Sequence, residues 1–557
     1  MPLKNSTKFL LLLMAVVGGL VRATQAQAPA ESIHFTAHTI AFSLDSDESA
    51  KRRAPETMAG GVAVFDYDND GHPDIFFTNG ANLSTLHKDS PKHWNRLFHN
   101  NGDGTFTDVT EKAGLAGSGF DVGVAVADYD NDGYEDLFVS GVYRNTLYHN
   151  NGDGTFTDVT EKAGLSKLDA QYGPLWSVGA AWVDINNDGL LDLFVVNYLK
   201  WDRDKEPDCR VDNKPEYCHP KFYKDTPNQL FLNKGNGIFE DISTSSGIRS
   251  HPGRGMGAGV ADYDGDGRPD IFVSNDKMFN FLFHNVGNNR FEEVAFESGV
   301  ALPEHGNLIS GMGVDFRDLN NDGLPDIVLV ALANETFPVY ENSGGGQFNE
   351  VTASSGMTVQ SNSMAGYSPN IGDFDNDGWK DLFVSRGDVA SPNMAGREVI
   401  DQPNTVFRNL GNGKWTALTA EAGFKALEPK RHRGAALGDF NGDGKLDIVV
   451  SAISSPAELW INDSPNHNHW IELALMGTRS NHDGIGAKVK IVAGGKAQWN
   501  HVSHSAGYAS SSATPLHFGL GAVTTVDEID IQWPSGTHQV LTKVSADRVV
   551  KIKEASF

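Results

Sequence analysis

The chain has 557 residues, 39% hydrophobic content, 60 Gly, 31 Phe and a formal net charge of -27. That length and apolar content suit several domains or one large repeat assembly, and the acidic balance argues against nucleic acid or anionic membrane as a partner. Only two cysteines are present, so no disulfide scaffold holds the fold.

Residues 1–28 read as an export signal, with Lys4 and Lys8 at the positive end, an apolar run from Phe9 to Val21, and Ala26-Gln27-Ala28 as a cleavage site. The run is short for a bilayer span, and no other stretch is long and apolar enough for one. A mature protein in the periplasm, at the cell surface or outside the cell is expected.

From Asp66 to Asp447 a nine-residue pattern, Asp-x-[Asp/Asn]-x-Asp-Gly-x-x-Asp, recurs seven times, starting at Asp66, Asp128, Asp184, Asp262, Asp318, Asp373 and Asp439. Positions 1, 3, 5 and 9 carry side-chain oxygens. They are Asp66, Asp68, Asp70 and Asp74; Asp128, Asp130, Asp132 and Asp136; Asp184, Asn186, Asp188 and Asp192; Asp262, Asp264, Asp266 and Asp270; Asp318, Asn320, Asp322 and Asp326; Asp373, Asp375, Asp377 and Asp381; and Asp439, Asn441, Asp443 and Asp447. Three or four carboxylates in one tight turn repel unless a cation sits among them. An all-oxygen set suits Ca²⁺ better than Mg²⁺, which keeps its waters. Up to seven structural Ca²⁺ ions are therefore expected, and they would offset about fourteen of the negative charges. An Asp-Gly turn joining two strands is the plainer reading of one copy, but seven periodic copies disfavour it. An EF-hand fails because position 12 is apolar in every copy: Phe77, Val139, Val195, Val273, Leu329, Val384 and Val450.

Each unit reads as four short strands, shown by Val122 to Ala127, Asp136 to Ser140, Thr146 to Asn150 and Thr155 to Thr160 in the second. Seven four-stranded units predict an all-β, seven-bladed β-propeller over residues 29–464. The last unit lacks a fourth strand, and Ile33 to Thr39 is expected to supply it and close the ring.

His99, His149 and His284 occupy matching places in the third strand of different units, so they cannot converge, and packing or turn bonding is their expected role. Cys209 and Cys218, in the insertion from Tyr198 to Asn228, are expected to pair in an oxidising compartment. Arg386-Gly-Asp388 spells an integrin-recognition tripeptide that chance supplies easily. From about Pro465 no further Asp loops appear, and alternating runs such as Trp470 to Leu475, Lys488 to Val492, Ile529 to Trp533 and Val549 to Lys553 predict a small separate β-sandwich-like domain over 465–557. His467, His469, His501 and His504 are expected to be solvent-facing or hydrogen-bonded rather than zinc ligands.

The Asp-loop units resemble the FG-GAP or VCBS repeats of integrin α-subunit propellers. The last ninety residues resemble the ASPIC/UnbV domain through Asn468-His-Trp470, Gly477-Thr-Arg-Ser-Asn481, Asp483-Gly-Ile-Gly-Ala487, His517-Phe-Gly-Leu-Gly521 and Trp533-Pro-Ser-Gly536. That pairing is similar to the cartilage acidic protein family, and it implies an extracellular, calcium-stabilised propeller in adhesion or matrix contact. The animal members carry an EGF-like module, for which two cysteines leave no room. The leading expectation is a secreted, monomeric binding or adhesion protein with an extracellular protein or glycan ligand, without catalytic residues. The alternative is a hydrolase or lyase at the channel mouth, built from Trp176, Arg254, His305 and Arg431-His-Arg433, although no Gly-x-Ser-x-Gly, His-Glu-x-x-His or Walker loop occurs.

Overall fold

The computed structural model describes residues 33–390 and 397–556. The predicted export signal lies outside the described residues. Among them, seven blades of four antiparallel strands follow one another, the first extended to a six-stranded sheet by two later strands. Their first strands are Val62–Phe65, Asp121–Ala127, Ser177–Val183, Gly255–Ala261, Val314–Arg317, Gly366–Gly372 and His432–Gly438. These touch one another in that order, and the last packs against the first, so the ring is closed. They are wholly buried save Arg317, and five of the seven consist mostly of Gly, Ala and Val. Small residues are required there because neighbouring backbones converge on the axis: a Cβ on Gly123 would collide with the Val178 carbonyl of the next blade.

Closure follows the expected route. Phe35–Ser43 lies antiparallel against Pro456–Asn462 as the outer strand of the seventh blade, with Phe35 opposite Asn462 and Thr39 opposite Glu458. Phe35 stacks on Phe424 and meets Phe374 edge-on, which fixes the strand by burial as well as by its ladder.

Each Asp loop joins the first strand to the second, so all seven lie on one face of the ring. A staple repeats around that face. The Asn at or near the end of each third strand (Asn100, Asn150, Asn233, Asn285, Asn342, Asn409 and Asn462) donates its backbone N–H to the position-9 Asp of its own loop, at 2.7 to 2.8 Å. Its side-chain amide donates to the position-2 carbonyl of the preceding blade, including Asn100 to Phe440 across the closure. All seven seams are thus bridged by the same buried side chain.

Beyond the ring, Leu516–Gly521, His469–Met476 and Val549–Lys553 form one sheet, and Lys496–His501, Lys488–Ala493, Thr525–Gln532 and His538–Ser545 another. They enclose Ile471, Leu473, Val489, Ile491, Phe518, Ile529 and Ile531. The expected separateness of this module does not hold, because residues 502–515 leave the sandwich and enter the propeller channel. There Ser505–Ala506 and Ser510–Ser512 make a hairpin that pairs in parallel with Val62–Phe65. The hairpin bonds to six blades. Val124 N–H donates to the Ala509 carbonyl, Gly507 and Val314 exchange two bonds, and Tyr508 N–H reaches Ser368. Val62 and Leu437 N–H donate to the hydroxyls of Ser510 and Ser512, and the Ser505 hydroxyl donates to the Ala258 carbonyl. Tyr508 is fully buried on the axis, its hydroxyl donating to the Met58 carbonyl at 2.7 Å.

The insertion between the second and third strands of blade three lies on the opposite face. Its Cys209 and Cys218 are disulfide-bonded, with Cα atoms 5.3 Å apart. Tyr217 Oη reaches Glu48 and Glu56, and Glu206 accepts from Ala54 N–H, so the insertion is tied across to the segment before blade one.

Candidate metal centres

Position 4 of every Asp loop has positive φ, between 55° and 79°, and is Asn in five loops and Gly in two. The turn this makes brings positions 1, 3, 5 and 9 together. The position-1 carboxylate accepts the position-6 N–H in all seven loops. The position-5 carboxylate accepts the position-7 N–H in all seven. Position 9 accepts the position-2 N–H through one oxygen and the third-strand Asn N–H through the other. The carboxylates at positions 1, 5 and 9 are therefore held in place by backbone donors.

The residues fit a hard cation. Asp68 Oδ1, Asp130 Oδ1 and Asp375 Oδ1, all at position 3, are buried with no hydrogen-bond partner, an expensive state for a carboxylate oxygen unless a cation faces it. Burial raises the position-9 carboxyls: Asp74 and Asp136 to about 8, Asp270 to about 6, and Asp192, Asp326, Asp381 and Asp447 well above the usual range. Side-chain oxygens of the charge and number found here match the donor set Ca²⁺ takes.

Three features of these loops escaped sequence reasoning. First, the position-4 Asn amides of loops one, two, three, five and six donate to the position-6 carbonyl of the next loop at 2.8 to 3.0 Å, linking neighbouring loops directly. Second, the third-strand histidines sit on their loops. His99 Nδ1 is 3.3 Å from Asp74 Oδ1, His149 Nδ1 3.3 Å from Asp136 Oδ1, and His284 Nδ1 3.0 Å from Asp270 Oδ1. They do not converge with one another, as expected, but their role is at the carboxylates. Third, the loop face is where the C-terminal module docks. The position-6 Gly has φ between 78° and 94° in all seven loops, and a Cβ there would press on Arg479 at Gly189, Trp499 at Gly323, Gln498 at Gly378 and Trp470 at Gly444. Asp128 N–H donates to Asp483, Lys488 Nζ to Asp262, and Asn131 accepts His482 N–H at 2.7 Å.

The other candidates resolve differently. Trp176 and Arg433 are fully buried, Arg254 Nε is paired with Asp225 at 2.7 Å, Arg431 with Glu48 at 2.6 Å, and His305 is exposed. Arg386 is buried with its guanidinium on Gln402 and Thr405, which withdraws the arginine of the Arg-Gly-Asp tripeptide from solvent. His501 and His504 bond to the Val260 and Val126 carbonyls, His469 to Asp547, and His467 is exposed.

His432 instead joins Lys430 around buried Glu458, with Nε2 3.1 Å and Nζ 2.9 Å from its oxygens. Burial would raise that carboxyl, but the His432 and Lys430 charges outweigh it and lower Glu458 to about 2. A depressed carboxyl stabilises the fold above its unfolded value of 4.5 and loses that contribution as pH falls toward 2. Glu458→Gln is expected to cost about 3 kcal/mol at neutral pH and to flatten the acid limb of an unfolding-midpoint profile. An unchanged acid limb would place the acid sensitivity elsewhere.

Fold and loops together define a β-propeller with an Asp loop on every blade and a β-sandwich seated on the loops. The chain belongs to the FG-GAP-like repeat family, whose model matches residues 66–139, 128–195, 222–273, 262–329, 318–384 and 388–450, and its end matches the ASPIC and UnbV model over residues 477–556. Cartilage acidic protein 1 of Homo sapiens is 25% identical over 510 residues, covering 86% of this chain and 70% of that protein. The Mus musculus protein of the same name is 26% identical over 531 residues, covering 90% and 74%. Among solved structures, an Agrocybe aegerita lectin recognising non-reducing terminal N-acetylglucosamine aligns over 72% of this chain and 87% of its own, at 18% identity and a TM-score of 0.41. At that level of likeness its sugar specificity does not transfer.

Proposed function

We propose that this protein is a secreted, calcium-stabilised propeller that binds a protein or glycan ligand, with the metal structural rather than catalytic. The observation that carries the calcium part is the set of buried, unpartnered position-3 oxygens at Asp68, Asp130 and Asp375. In each loop the carboxylates and amide oxygens at positions 1, 3, 5 and 9 would hold the ion. Its charge would offset repulsion within the turn, and oxygens saturated by a cation and backbone donors have no lone pair left for acid–base work.

Secretion is supported by the predicted export signal, by the Cys209–Cys218 disulfide, which suits an oxidising compartment, and by the lack among the described residues of a helix long and apolar enough to cross a membrane. The binding reading is favoured over a channel enzyme because Tyr508 and its hairpin fill the axis, and because the Asp-loop face already carries the C-terminal module. The ligand surface is then the opposite face and the outer rim, where the disulfide-bonded insertion stands exposed. The test is binding of the mature protein to panels of immobilised glycans and extracellular matrix proteins, in calcium and in chelator. Saturable, calcium-dependent binding that is lost on trimming the 202–222 insertion is the expected result. Binding that survives both changes would overturn the assignment of surface and metal.

A further inference from the structure

The seven loops divide into two kinds at position 3. Loops one, two, four and six have Asp68, Asp130, Asp264 and Asp375; loops three, five and seven have Asn186, Asn320 and Asn441. The residue just before the stapling Asn of the third strand divides the same way. It is His99, His149, His284 and Arg408 in the Asp loops, and Leu232, Glu341 and Ile461 in the Asn loops. Every loop with a position-3 carboxylate has a base at this place, and no loop with a position-3 amide has one.

The geometry gives the reason. The bases approach the same position-3 atom in each case: Arg408 Nε bonds to Asp375 Oδ2 at 2.6 Å, while the histidine Nδ1 atoms stand 3.6 Å from Asp68 Oδ2, 3.4 Å from Asp130 Oδ2 and 3.7 Å from Asp264 Oδ2 and are nearer to the position-9 Oδ1, at 3.0 to 3.3 Å. Arg408 Nη2 also reaches Asp377 Oδ2 at 3.0 Å. In three of these loops the other oxygen, Oδ1, is the buried and unpartnered one. A position-3 Asp thus sets one oxygen toward the base and, in loops one, two and six, leaves the other buried without a partner, whereas Asp264 Oδ1 accepts the Asp266 N–H at 3.1 Å. In all three Asn loops Oδ1 accepts the position-5 N–H at 3.0 to 3.1 Å, so the NH₂ takes the other branch of the amide, where it would repel a cationic side chain but tolerate an apolar or acidic one. Asn186 satisfies it by donating to Asp188 at 3.0 Å.

We infer that the third-strand residue before the stapling Asn is the positioning residue of each cation loop, matched to position 3 so that one oxygen faces the ion while the outward group is satisfied. This rests on the calcium reading above.

The test is calcium titration of the mature protein against a competing chelating indicator, with Arg408→Leu, Asp375→Asn and the double variant. The double variant rebuilds in loop six the pair that loop three has naturally, Asn186 with Leu232. Each single change is expected to weaken one calcium equivalent about tenfold, and the double variant to recover to within about threefold of the parent. His149→Leu and Asp130→Asn repeat the test in loop two, should a loop-six variant fail to fold. Losses that simply add in the double variants overturn the pairing and leave the calcium reading intact. A parent protein that binds no calcium overturns both.

Discussion

Chelation is expected to lower the unfolding midpoint of the mature protein by at least about 15 °C, and added Ca²⁺ to restore it. A ligand at a hundred times its dissociation constant stabilises by about 2.7 kcal/mol per site. Seven such sites contribute nearly 20 kcal/mol, far more than the total stability of an ordinary domain. The loss would not stay local, because the position-9 Asp of each loop accepts the N–H of the Asn that bridges to the preceding blade. Loops opened by repulsion would release those staples, then the amide links between loops, then the seat of the C-terminal module. Mg²⁺ should restore less than Ca²⁺, since it prefers to keep its waters over a dedicated protein cage. The measurement is scanning calorimetry with metal analysis of the folded protein. A midpoint that moves by less than about 2 °C, with no metal bound, would reduce the loops to turns held by their backbone donors.

The ring was legible in the sequence because it is written in local chemistry. Asp-x-Asp-x-Asp-Gly turns recur, the apolar run after each reads as a strand, and the missing outer strand of the last blade pointed to Ile33 to Thr39. What was not legible depends on which atoms meet in space. Asn131 and its counterparts fall at an unspecified position of the repeat, and only the turn they adopt shows their amides crossing to the next loop. His149 looks like any strand histidine until Asp130 is seen beneath it. The channel hairpin gives no hydrophobic period at all. Its Ser-Ala-Gly-Tyr-Ala-Ser-Ser-Ser composition resembles a linker, because its partners are backbone groups and its apolar contacts are few. A buried hydroxyl-rich segment that satisfies six blades is invisible to patterning that counts only apolar residues.

Removing that hairpin is expected to be the most damaging change to the chain apart from stripping its metal. Replacing 505–512 with a short Gly-Ser turn would leave the N–H groups of Val62, Val124, Val126, Val314 and Leu437 without their partners. Each buried donor left unpaired costs about 1 to 3 kcal/mol, so the deletion should cost roughly 5 to 15 kcal/mol in all unless water enters the channel. Tyr508→Ala isolates the anchor. It removes a fully buried ring packed edge-on against Tyr367 at 5.1 Å and is expected to cost about 3 to 5 kcal/mol in denaturant unfolding. Tyr508→Phe keeps the ring and loses the bond to Met58, at about 1 kcal/mol. The order matters more than the sizes. If the hairpin is what binds module to ring, the deletion should split unfolding into two transitions, the sandwich melting apart from the propeller. A single transition at the parent midpoint would mean that docking through Trp470, Arg479, Gln498 and Trp499 on the loop glycines suffices, and that the hairpin only fills space.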